Sequence, residues 1–304
     1  MPLLLPQLTR REFLKRAALA SAALALAPSS YAGLFGKSRD KHMVAFFSDT
    51  HIAADAATVS RQVNVADNLA VCVRELAAWP VKPAAVIVNG DLALKEGLAG
   101  DYTTFGKTIA PLRALAPVHL NLGNHDAREI FWRGLPQDAA RLPAVPQRQV
   151  LVFESSRANW FLLDTLEATN STPGELGAPQ LEWLAYELAA RPDKPAIIVG
   201  HHNLQAPGAV AGIKDTAAFE ELFGRCPQIK AYIFGHTHDW NISRHASGVQ
   251  LINLPPTGYV FKEGRPNGWV RCTLAHDGAE FELRSLDANH PEHGQVEKLS
   301  WRAS

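Results

Sequence analysis

Five short clusters along the chain combine aspartate, asparagine and histidine, and four of them also contain glycine. They are Asp49-Thr50-His51, Gly90-Asp91, Gly123-Asn124-His125-Asp126, Gly200-His201-His202 and Gly235-His236-Thr237-His238. Together they hold six of the twelve histidines of this 304-residue chain and none of its three cysteines. Carboxylate, imidazole and carboxamide groups without thiolate suit iron, manganese or zinc better than copper(I) or a closed structural zinc site. The donors outnumber the needs of one open catalytic ion, so the clusters predict two divalent transition-metal ions (Fe, Mn or Zn) that share a carboxylate.

Two metal ions about 4 Å apart suit the hydrolysis of a phosphate ester. Such a pair lowers the pKa of a bridging water, so that hydroxide is available near neutral pH, and it holds the phosphoryl oxygens during in-line attack. Glycine beside a ligand lets the backbone turn sharply where a side chain would obstruct the metal. The clusters therefore predict metal-dependent hydrolysis of a phosphate ester by a metal-bridging hydroxide.

Each cluster follows an apolar run that is typical of a strand. These runs cover residues 42–48, 84–88, 118–122, 196–199 and 229–234. Helices are predicted over residues 60–79, 101–115 and 179–190, and residues 240–285 are mostly strand-like. Alternating strands and helices followed by a strand-rich part predict an α/β sandwich. Because ligands of open α/β folds bind at the carboxyl ends of the strands, all five clusters can converge on one crevice.

The five clusters, in this order, resemble the calcineurin-like metallophosphoesterase superfamily, whose pattern is D-x-H, G-D, G-N-H-D/E, a later H, and G-H-x-H. The resemblance covers residues 44–240, and five motifs in order are far more specific than any one of them. It implies a four-layer α/β/β/α sandwich with a dimetal site at the carboxyl ends of the strands. It also implies that Asp49, His51 and His238 bind one ion, that Asn124, His201 and His236 bind the other, and that Asp91 bridges the two.

The same resemblance implies catalytic roles for two residues that are not ligands. His125 would protonate the leaving oxygen or stabilise charge on the phosphate. Asp126 would orient or polarise His125. His201 and His202 compete for one ligand position, and comparison with the family favours His201. His119 lies inside a predicted strand, where we expect a packed side chain.

Departures from particular branches of the superfamily narrow the expected chemistry. Leu94 stands where purple acid phosphatases carry a tyrosine ligand, so a ferric-tyrosinate site is not expected. The chain also lacks the arginine after G-D and the G-N-H-E block of protein Ser/Thr phosphatases. Residues 164–165, 174–176, 180–184 and 200–202 are similar to the bacterial cyclic-nucleotide phosphodiesterase-like branch. This favours a phosphodiester substrate; a phosphomonoesterase or nucleotidase, and a non-catalytic metal-binding scaffold, are the alternatives.

Residues 1–32 have the composition of a twin-arginine signal peptide. Arg10-Arg11-Glu12-Phe13-Leu14-Lys15 precedes an apolar run that is short for a membrane span, and Ser30-Tyr31-Ala32 offers a cleavage site after Ala32. A retained anchor and a cytoplasmic amphipathic helix are the alternatives. We expect a periplasmic or exported protein that uses the twin-arginine export machinery. Residues 33–41 are expected to be a flexible lead-in, 42–286 the metallophosphoesterase domain, and 287–304 a polar, loosely held C-terminal tail.

Charge and loop composition bear on the partners. Without residues 1–32 the chain keeps 26 basic and 29 acidic residues, a net charge of −3, so we expect a small-molecule phosphoester and no nucleic acid. Cys226 and Cys272 could pair in an oxidising compartment, or all three cysteines could be buried thiols. Substrate choice is assigned to loops at 52–59, 129–146, 203–214 and 255–267. Tyr259 or Phe261 could stack on a base or aryl group, or could be packed in the core.

Overall fold

The structure, a computed structural model, describes residues 37–139 and 144–303. The predicted signal peptide and residues 33–36 of the predicted lead-in lie outside the described residues. Residues 39–41 belong to the first strand, so the expectation of a flexible lead-in is wrong there. The strands of the described part are β1 (Arg39–Ser48), β2 (Val59–Ser60), β3 (Val63–Asn64), β4 (Lys82–Asn89), β5 (Val118–Asn121), β6 (Leu151–Glu154), β7 (Asn159–Leu162), β8 (Ala196–Val199), β9 (Ile229–Phe234), β10 (Asn241–Arg244), β11 (Gln250–Asn253), β12 (Gly268–Leu274), β13 (Gly278–Ser285) and β14 (Val296–Ser300). Its helices are α1 (Val65–Ala78), α2 (Ala99–Thr108), α3 (Ala110–Arg113), α4 (Arg128–Gly134), α5 (Ala178–Ala189) and α6 (Thr216–Arg225).

Two six-stranded sheets form the centre of the fold. The first has the order β14-β13-β12-β1-β4-β5, and β1, β4 and β5 are parallel in it. The second has the order β10-β11-β9-β8-β7-β6, and its four inner strands are parallel. Antiparallel strands therefore form one side of the first sheet and both edges of the second. Of the parallel strands that precede the five clusters, β5 is the edge of the first sheet and the other four lie inside.

Alternation along β1 shows how the layers are stacked. Met43, Ala45 and Phe47 point to a core shared with α1 to α4, whereas Val44 and Phe46 point to a core between the two sheets. The outer face of the second sheet forms a third core with α5 and α6. A strand buried on both faces is apolar throughout, as residues 43–47 are. The four-layer α/β/β/α sandwich is confirmed.

Buried asparagines join the two sheets at the carboxyl ends of their strands. Asn89, the last residue of β4, donates from Nδ2 to the Gly200 carbonyl at 2.9 Å. Asn121, the last residue of β5, donates from Nδ2 to Asn89 Oδ1 at 3.0 Å and to the Val199 carbonyl at 3.2 Å. Because amide side chains can satisfy backbone groups on both sides, these bonds fix the edge where the clusters follow the strands.

Several element boundaries differ from the prediction. The first helix begins at Val65 instead of residue 60, because residues 59–64 form the β2–β3 hairpin and Asn64 caps the helix by accepting from the Asp67 N–H. The second predicted helix is split into α2 and α3, with Pro111 at the start of α3. Helices α4 and α6 were not predicted at all.

His119 packs as expected, with its ring stacked on Phe153 at a centroid distance of 4.1 Å.

The C-terminal segment is part of the fold, so the expectation of a loosely held tail at 287–304 is wrong. Residues Val296–Ser300 pair antiparallel with β13 as β14. Beyond it, the Arg302 guanidinium donates to four backbone carbonyls, those of Phe223, Cys226, Ile229 and Ser247. A polar composition did not indicate a strand whose partner lies next to it only in the folded sheet.

The cysteines and the helices of the described part test two further expectations. Cys72, Cys226 and Cys272 are all free thiols. Cys272 is buried between the sheets while Cys226 packs at the outer core, so the possible pair is not formed. Within residues 37–139 and 144–303, no helix is both long and apolar enough to cross a membrane.

Candidate metal centre

Asp91 lies at the point where two groups of candidate ligands meet. One group consists of Asp49, His51, Asp91 and His238, and the other of Asp91, His201 and His236; in each group the ligand atoms lie within 4.8 Å of one another. Asp91 Oδ2 is 3.6 Å from His51 Nε2 and 3.4 Å from His201 Nε2. Asn124 lines the same cleft as Asp91 and His236. The two groups hold six of the seven predicted ligand residues, divided as the resemblance implied, and the assignment of Asn124 to the second ion stays a prediction.

Three of the histidines are oriented by backbone carbonyls. Nδ1 of His51 donates to the Leu94 carbonyl at 3.2 Å, and Nδ1 of His201 donates to that of Asn89 at 2.9 Å. Nδ1 of His238 donates to the carbonyl of Tyr259 at 2.6 Å. A carbonyl only accepts, so each Nδ1 carries a proton, and in the neutral ring Nε2 has its lone pair directed toward the carboxylates. This is the usual outer arrangement of histidine ligands.

His202 is held away from the carboxylates. Its Nδ1 lies 2.7 Å from Thr165 Oγ1, and its backbone carbonyl accepts from the Tyr232 hydroxyl at 2.5 Å. His201 Nε2, by contrast, lies 3.8 Å from Asp49 Oδ1 as well as close to Asp91. The geometry therefore agrees with the choice of His201 as the ligand of this pair.

The backbone at the candidate ligands is strained. Asp49, His51, Asp91, His236 and His238 all have φ between +47° and +67°, in the left-handed region. Residues other than glycine adopt this region rarely, at a cost of about 1–2 kcal/mol each. Such strain persists where the surrounding structure over-determines it, and it gathers at functional sites. Here it turns successive side chains at the strand ends toward one point.

Two glycines of the clusters leave room for the aspartates. A Cβ at Gly123 would lie 2.2 Å from Asp91 Oδ1, and a Cβ at Gly235 would lie 2.4 Å from Asp49 Oδ2. Neither glycine has a positive φ, so the requirement is space. The sequence predicts sharp turns at these glycines; in the structure, the close approach of a carboxylate is what requires glycine there.

The donor atoms fit divalent cations. His201 Nε2 and Asn124 Oδ1 are buried and have no hydrogen-bond partner among the described residues. A buried polar atom without a partner costs about 1–3 kcal/mol, and a metal ion would satisfy both. The carboxylate, carboxamide and imidazole groups match the ligands of zinc, manganese and iron.

The electrostatics of the cluster also favour a cation. Burial lowers the pKa of His51, His236 and His238 to about 4, so these imidazoles are neutral near pH 7, the form that binds metals. Burial also opposes protonation of His201, but the carboxylates of Asp91 and Asp49 raise its pKa to about 10. A field that favours a proton at His201 Nε2 favours a divalent ion there as well.

Asp126 does not contact the His125 ring, so the role predicted for it is wrong. Its carboxylate accepts from the N–H groups of Leu92, Ala93 and Gly123 at 2.9–3.1 Å and from the Tyr102 hydroxyl at 3.1 Å. Asp126 thus ties the G-D loop to the G-N-H-D loop. The His125 Nδ1 instead lies 3.0 Å from the Lys95 carbonyl and 3.1 Å from Asn170 Oδ1. Sequence reasoning missed Asn170, which no motif marks.

A cleft of about 430 Å³ opens over the candidate ligands. Asn203, Ala211 and Phe261 line it, from two of the four loops predicted to govern substrate choice. Of the described residues, none from the predicted loops 52–59 and 129–146 lines the cleft, and Asn170 and Thr172 do so instead.

The two aromatic residues of the 255–267 loop take different positions. Phe261 is 51% exposed and stacks on His238 at 4.0 Å, so its ring is accessible from the cleft. Tyr259 is half-buried against His51. The Phe261 ring is thus accessible for stacking on a base or aryl group of a substrate, whereas the Tyr259 ring is packed against the metal centre.

Comparisons with known proteins agree with this site. A family model described as calcineurin-like phosphoesterase matches residues 42–240. A probable cyclic nucleotide phosphodiesterase of Rhodopseudomonas palustris is 35% identical over 274 residues, which cover 80% of this chain and 96% of that protein. A 3′,5′-cyclic adenosine monophosphate phosphodiesterase of Escherichia coli K12 is 27% identical over 248 residues, 76% of this chain and 84% of that protein.

Solved structures share the fold at low sequence identity. A dimetal phosphatase from Danio rerio has a TM-score of 0.66 and 16% identity, and the match covers 86% of this chain and 99% of that one. The family model spans well over half of the chain, and it covers every residue of the two ligand groups. The chain therefore belongs to the calcineurin-like phosphoesterase family, and it is a hydrolase that acts on phosphoric ester bonds at a dinuclear metal site.

Proposed function

We propose that the chain hydrolyses small phosphodiesters, with cyclic nucleotides and other nucleotide or envelope diesters as the first candidates. The observation that carries this proposal is the sharing of Asp91 between two ligand groups beneath an open cleft. The relatives described as cyclic nucleotide phosphodiesterases support a diester substrate. The similarity of residues 164–165, 174–176 and 180–184 to that branch also supports a diester substrate.

Each protein group has a defined task in this reaction. Asp49, His51 and His238 would hold one ion, Asn124, His201 and His236 the other, and Asp91 both. When bound, the two ions supply a nucleophilic hydroxide near neutral pH and offset charge on the phosphoryl oxygens. His125 lines the cleft beside them and protonates the leaving oxygen as the phosphorus–oxygen bond breaks. Iron, manganese and zinc are the candidate ions, and Leu94 in place of tyrosine argues against a ferric-tyrosinate site.

The test compares matched aryl phosphate mono- and diesters. We expect protein reconstituted with manganese, iron or zinc to turn over the diester faster than the monoester. Metal content measured on the same samples should be close to two ions per chain. Faster monoester turnover would favour the phosphomonoesterase alternative. Two bound ions without turnover of either ester would favour a non-catalytic scaffold.

We further propose that residues 1–32 direct export by the twin-arginine route, which places the enzyme in the periplasm or outside the cell. The paired Arg10 and Arg11, the short apolar run and the small residues before Gly33 support this. The twin-arginine route carries folded proteins, so a metalloenzyme could acquire its ions before export. An export assay tests it: Arg10→Lys/Arg11→Lys should leave the protein in the cytoplasm with residues 1–32 attached. Export of that variant at the normal level would contradict the proposal.

A further inference from the structure

The His125 ring is held by two acceptors on one side. Its Nδ1 lies 3.0 Å from the Lys95 carbonyl oxygen and 3.1 Å from Asn170 Oδ1. The Lys95 carbonyl can only accept, so Nδ1 carries a proton and Asn170 must present its oxygen to it. No hydrogen bond to Nε2 is formed within the described part of the chain. Nε2 is therefore the ring nitrogen left for a substrate in the cleft.

Asn170 is itself fixed against the G-N-H-D loop. Its N–H donates to the Asn124 carbonyl at 2.6 Å, and the Thr169 hydroxyl donates to the Asp126 carbonyl at 2.7 Å. These two bonds span the loop on either side of His125. Asn170 has φ +63°, a conformation that asparagine tolerates better than most residues. These bonds therefore hold the segment against the loop that carries His125.

We propose that Asn170 is a positioning residue for His125 in the phosphoesterase reaction, selecting the ring orientation in which Nε2 faces the leaving oxygen. The proposal rests on the proposed function, because it gives His125 the role of general acid. Asn170 thus orients the His125 ring, the role that the family resemblance implied for Asp126.

During the proton transfer, Nδ1 of His125 stays protonated and only the Nε2 proton moves. His125 begins as the imidazolium, with a proton on each nitrogen. As the phosphorus–oxygen bond breaks, the leaving oxygen takes its electron pair and then the Nε2 proton, and the N–H bonding pair stays on Nε2. Neutral His125 keeps its Nδ1 proton on Lys95 and Asn170, and solvent returns a proton to Nε2. Both acceptors stabilise every state of the ring, so no change of tautomer is needed.

The test compares two diesters that differ in their leaving group. A general acid matters for a diester that releases an alkoxide and matters little for one that releases 4-nitrophenolate, which leaves without a proton. Asn170→Gly keeps the left-handed backbone and removes the side chain. We expect it to lower kcat for an alkyl diester by roughly 10- to 100-fold, the usual effect of losing an outer-sphere partner. Turnover of the 4-nitrophenyl diester should fall less than about threefold, and metal content should not change.

Three further variants separate positioning from a general structural role. Asn170→Asp keeps an acceptor oxygen in place and should restore most of the alkyl-diester activity. Ser171→Gly, a loop neighbour whose hydroxyl donates to Glu167, should leave both activities unchanged. Adding Asn170→Gly to His125→Ala should cost nothing more, because the two residues act as a unit. Equal losses on both esters, loss of metal in Asn170→Gly, or additive losses in the double variant would overturn the proposal.

A second measurement does not depend on turnover. In zinc-loaded protein we expect a resolved NMR signal from the His125 Nδ1 proton, kept in Asn170→Asp and broadened by solvent exchange in Asn170→Gly. An unchanged signal in Asn170→Gly would contradict the positioning role even if neither ester were hydrolysed. Absence of turnover by the unmodified protein would count against the proposed function alone.

Discussion

At the scale of single residues, Asp91 links the two ligand groups of the metal centre. Its carboxylate belongs to both ligand groups and also accepts from the His125 N–H at 2.8 Å. Burial would raise the pKa of Asp91, but the neighbouring His201 and His51 hold it well below the usual range, so it is an ionised ligand. One residue therefore serves both metal positions and the loop that carries His125.

We predict that Asp91→Ala loses both ions and all measurable turnover. The physical reason is that its removal leaves one ion with Asp49 as its only carboxylate and the other ion with no carboxylate at all. Elemental analysis after dialysis and the diester assay measure the two effects. His125→Ala should keep both ions while kcat for a diester that releases an alkoxide falls by about 10²- to 10⁴-fold. Equal metal loss in the two variants would contradict this division of roles, and Asp193→Ala, on the exposed surface, is the control.

At the scale of elements, Asp126 connects two loops with helix α2. Three backbone N–H groups and the Tyr102 hydroxyl all donate to its carboxylate, and Tyr102 in turn accepts from the Ala127 N–H at 2.8 Å. We predict that Asp126→Ala lowers the free energy of unfolding by about 2–4 kcal/mol, because buried N–H groups lose their acceptor. Tyr102→Phe, which removes only the hydroxyl, should cost about 1–2 kcal/mol. Urea denaturation followed by fluorescence measures both.

The outcome for Asp126→Ala tests the loop-joining role. A variant as stable as the unmodified protein, with kcat reduced as in His125→Ala, would contradict that role. Reduced stability, with metal loss that follows the unfolding, would support the loop-joining role seen in the structure.

The turn after β9 must let the backbone pass close to the end of β1. A Cβ at Gly235 would lie 2.1 Å from Ser48 Oγ and 2.4 Å from Asp49 Oδ2. We predict that Gly235→Ala displaces Asp49 and reduces metal content and activity by at least about tenfold, the usual cost of a misplaced ligand. Gly224→Ala is the matched control. Its site in α6 has nothing within 4 Å of the added Cβ, so the change should be neutral or stabilise the protein by about 0.5–1 kcal/mol.

At the scale of the whole molecule, the C-terminal residues attach the edge of the first sheet to the outer layer of the second. The Arg302 guanidinium donates to the Phe223 and Cys226 carbonyls, at the carboxyl end of α6, and to the Ile229 carbonyl at the start of β9. A cation at a helix carboxyl end also interacts favourably with the helix dipole. This arrangement ties β14 to the outer layer of the second sheet.

We predict that Arg302→Ala lowers the free energy of unfolding by about 2–3 kcal/mol, since four partly buried carbonyls lose a charged donor. Metal content and kcat of the folded protein should not change, because no ligand lies on this segment. Lys298→Ala on β14 is the control, with a side chain that is 76% exposed. A stability change of less than about 0.5 kcal/mol in Arg302→Ala would show that the tail is as loosely held as its composition suggested.

The sequence by itself determined the type of fold, the family and the set of candidate ligands. The reason is local: each cluster directly follows an apolar strand, and parallel strands place their carboxyl ends at one edge. Asp49, Asp91 and His236 could therefore be assigned to one crevice without coordinates. Helix ends were less certain, because a hairpin such as β2–β3 contains too few residues to show a pattern.

Only the tertiary structure decided the contacts between segments far apart in the chain. The partner of His125 is Asn170, 45 residues away, and Tyr102 reaches Asp126 over 24 residues. No spacing rule connects such pairs, because their side chains meet only after the loops have packed. For the same reason β14 could not be recognised, since its hydrogen bonds to β13 depend on the finished sheet and its own residues are mostly polar and exposed. Local pattern thus determined which groups perform the chemistry, and packing decided what holds them in place.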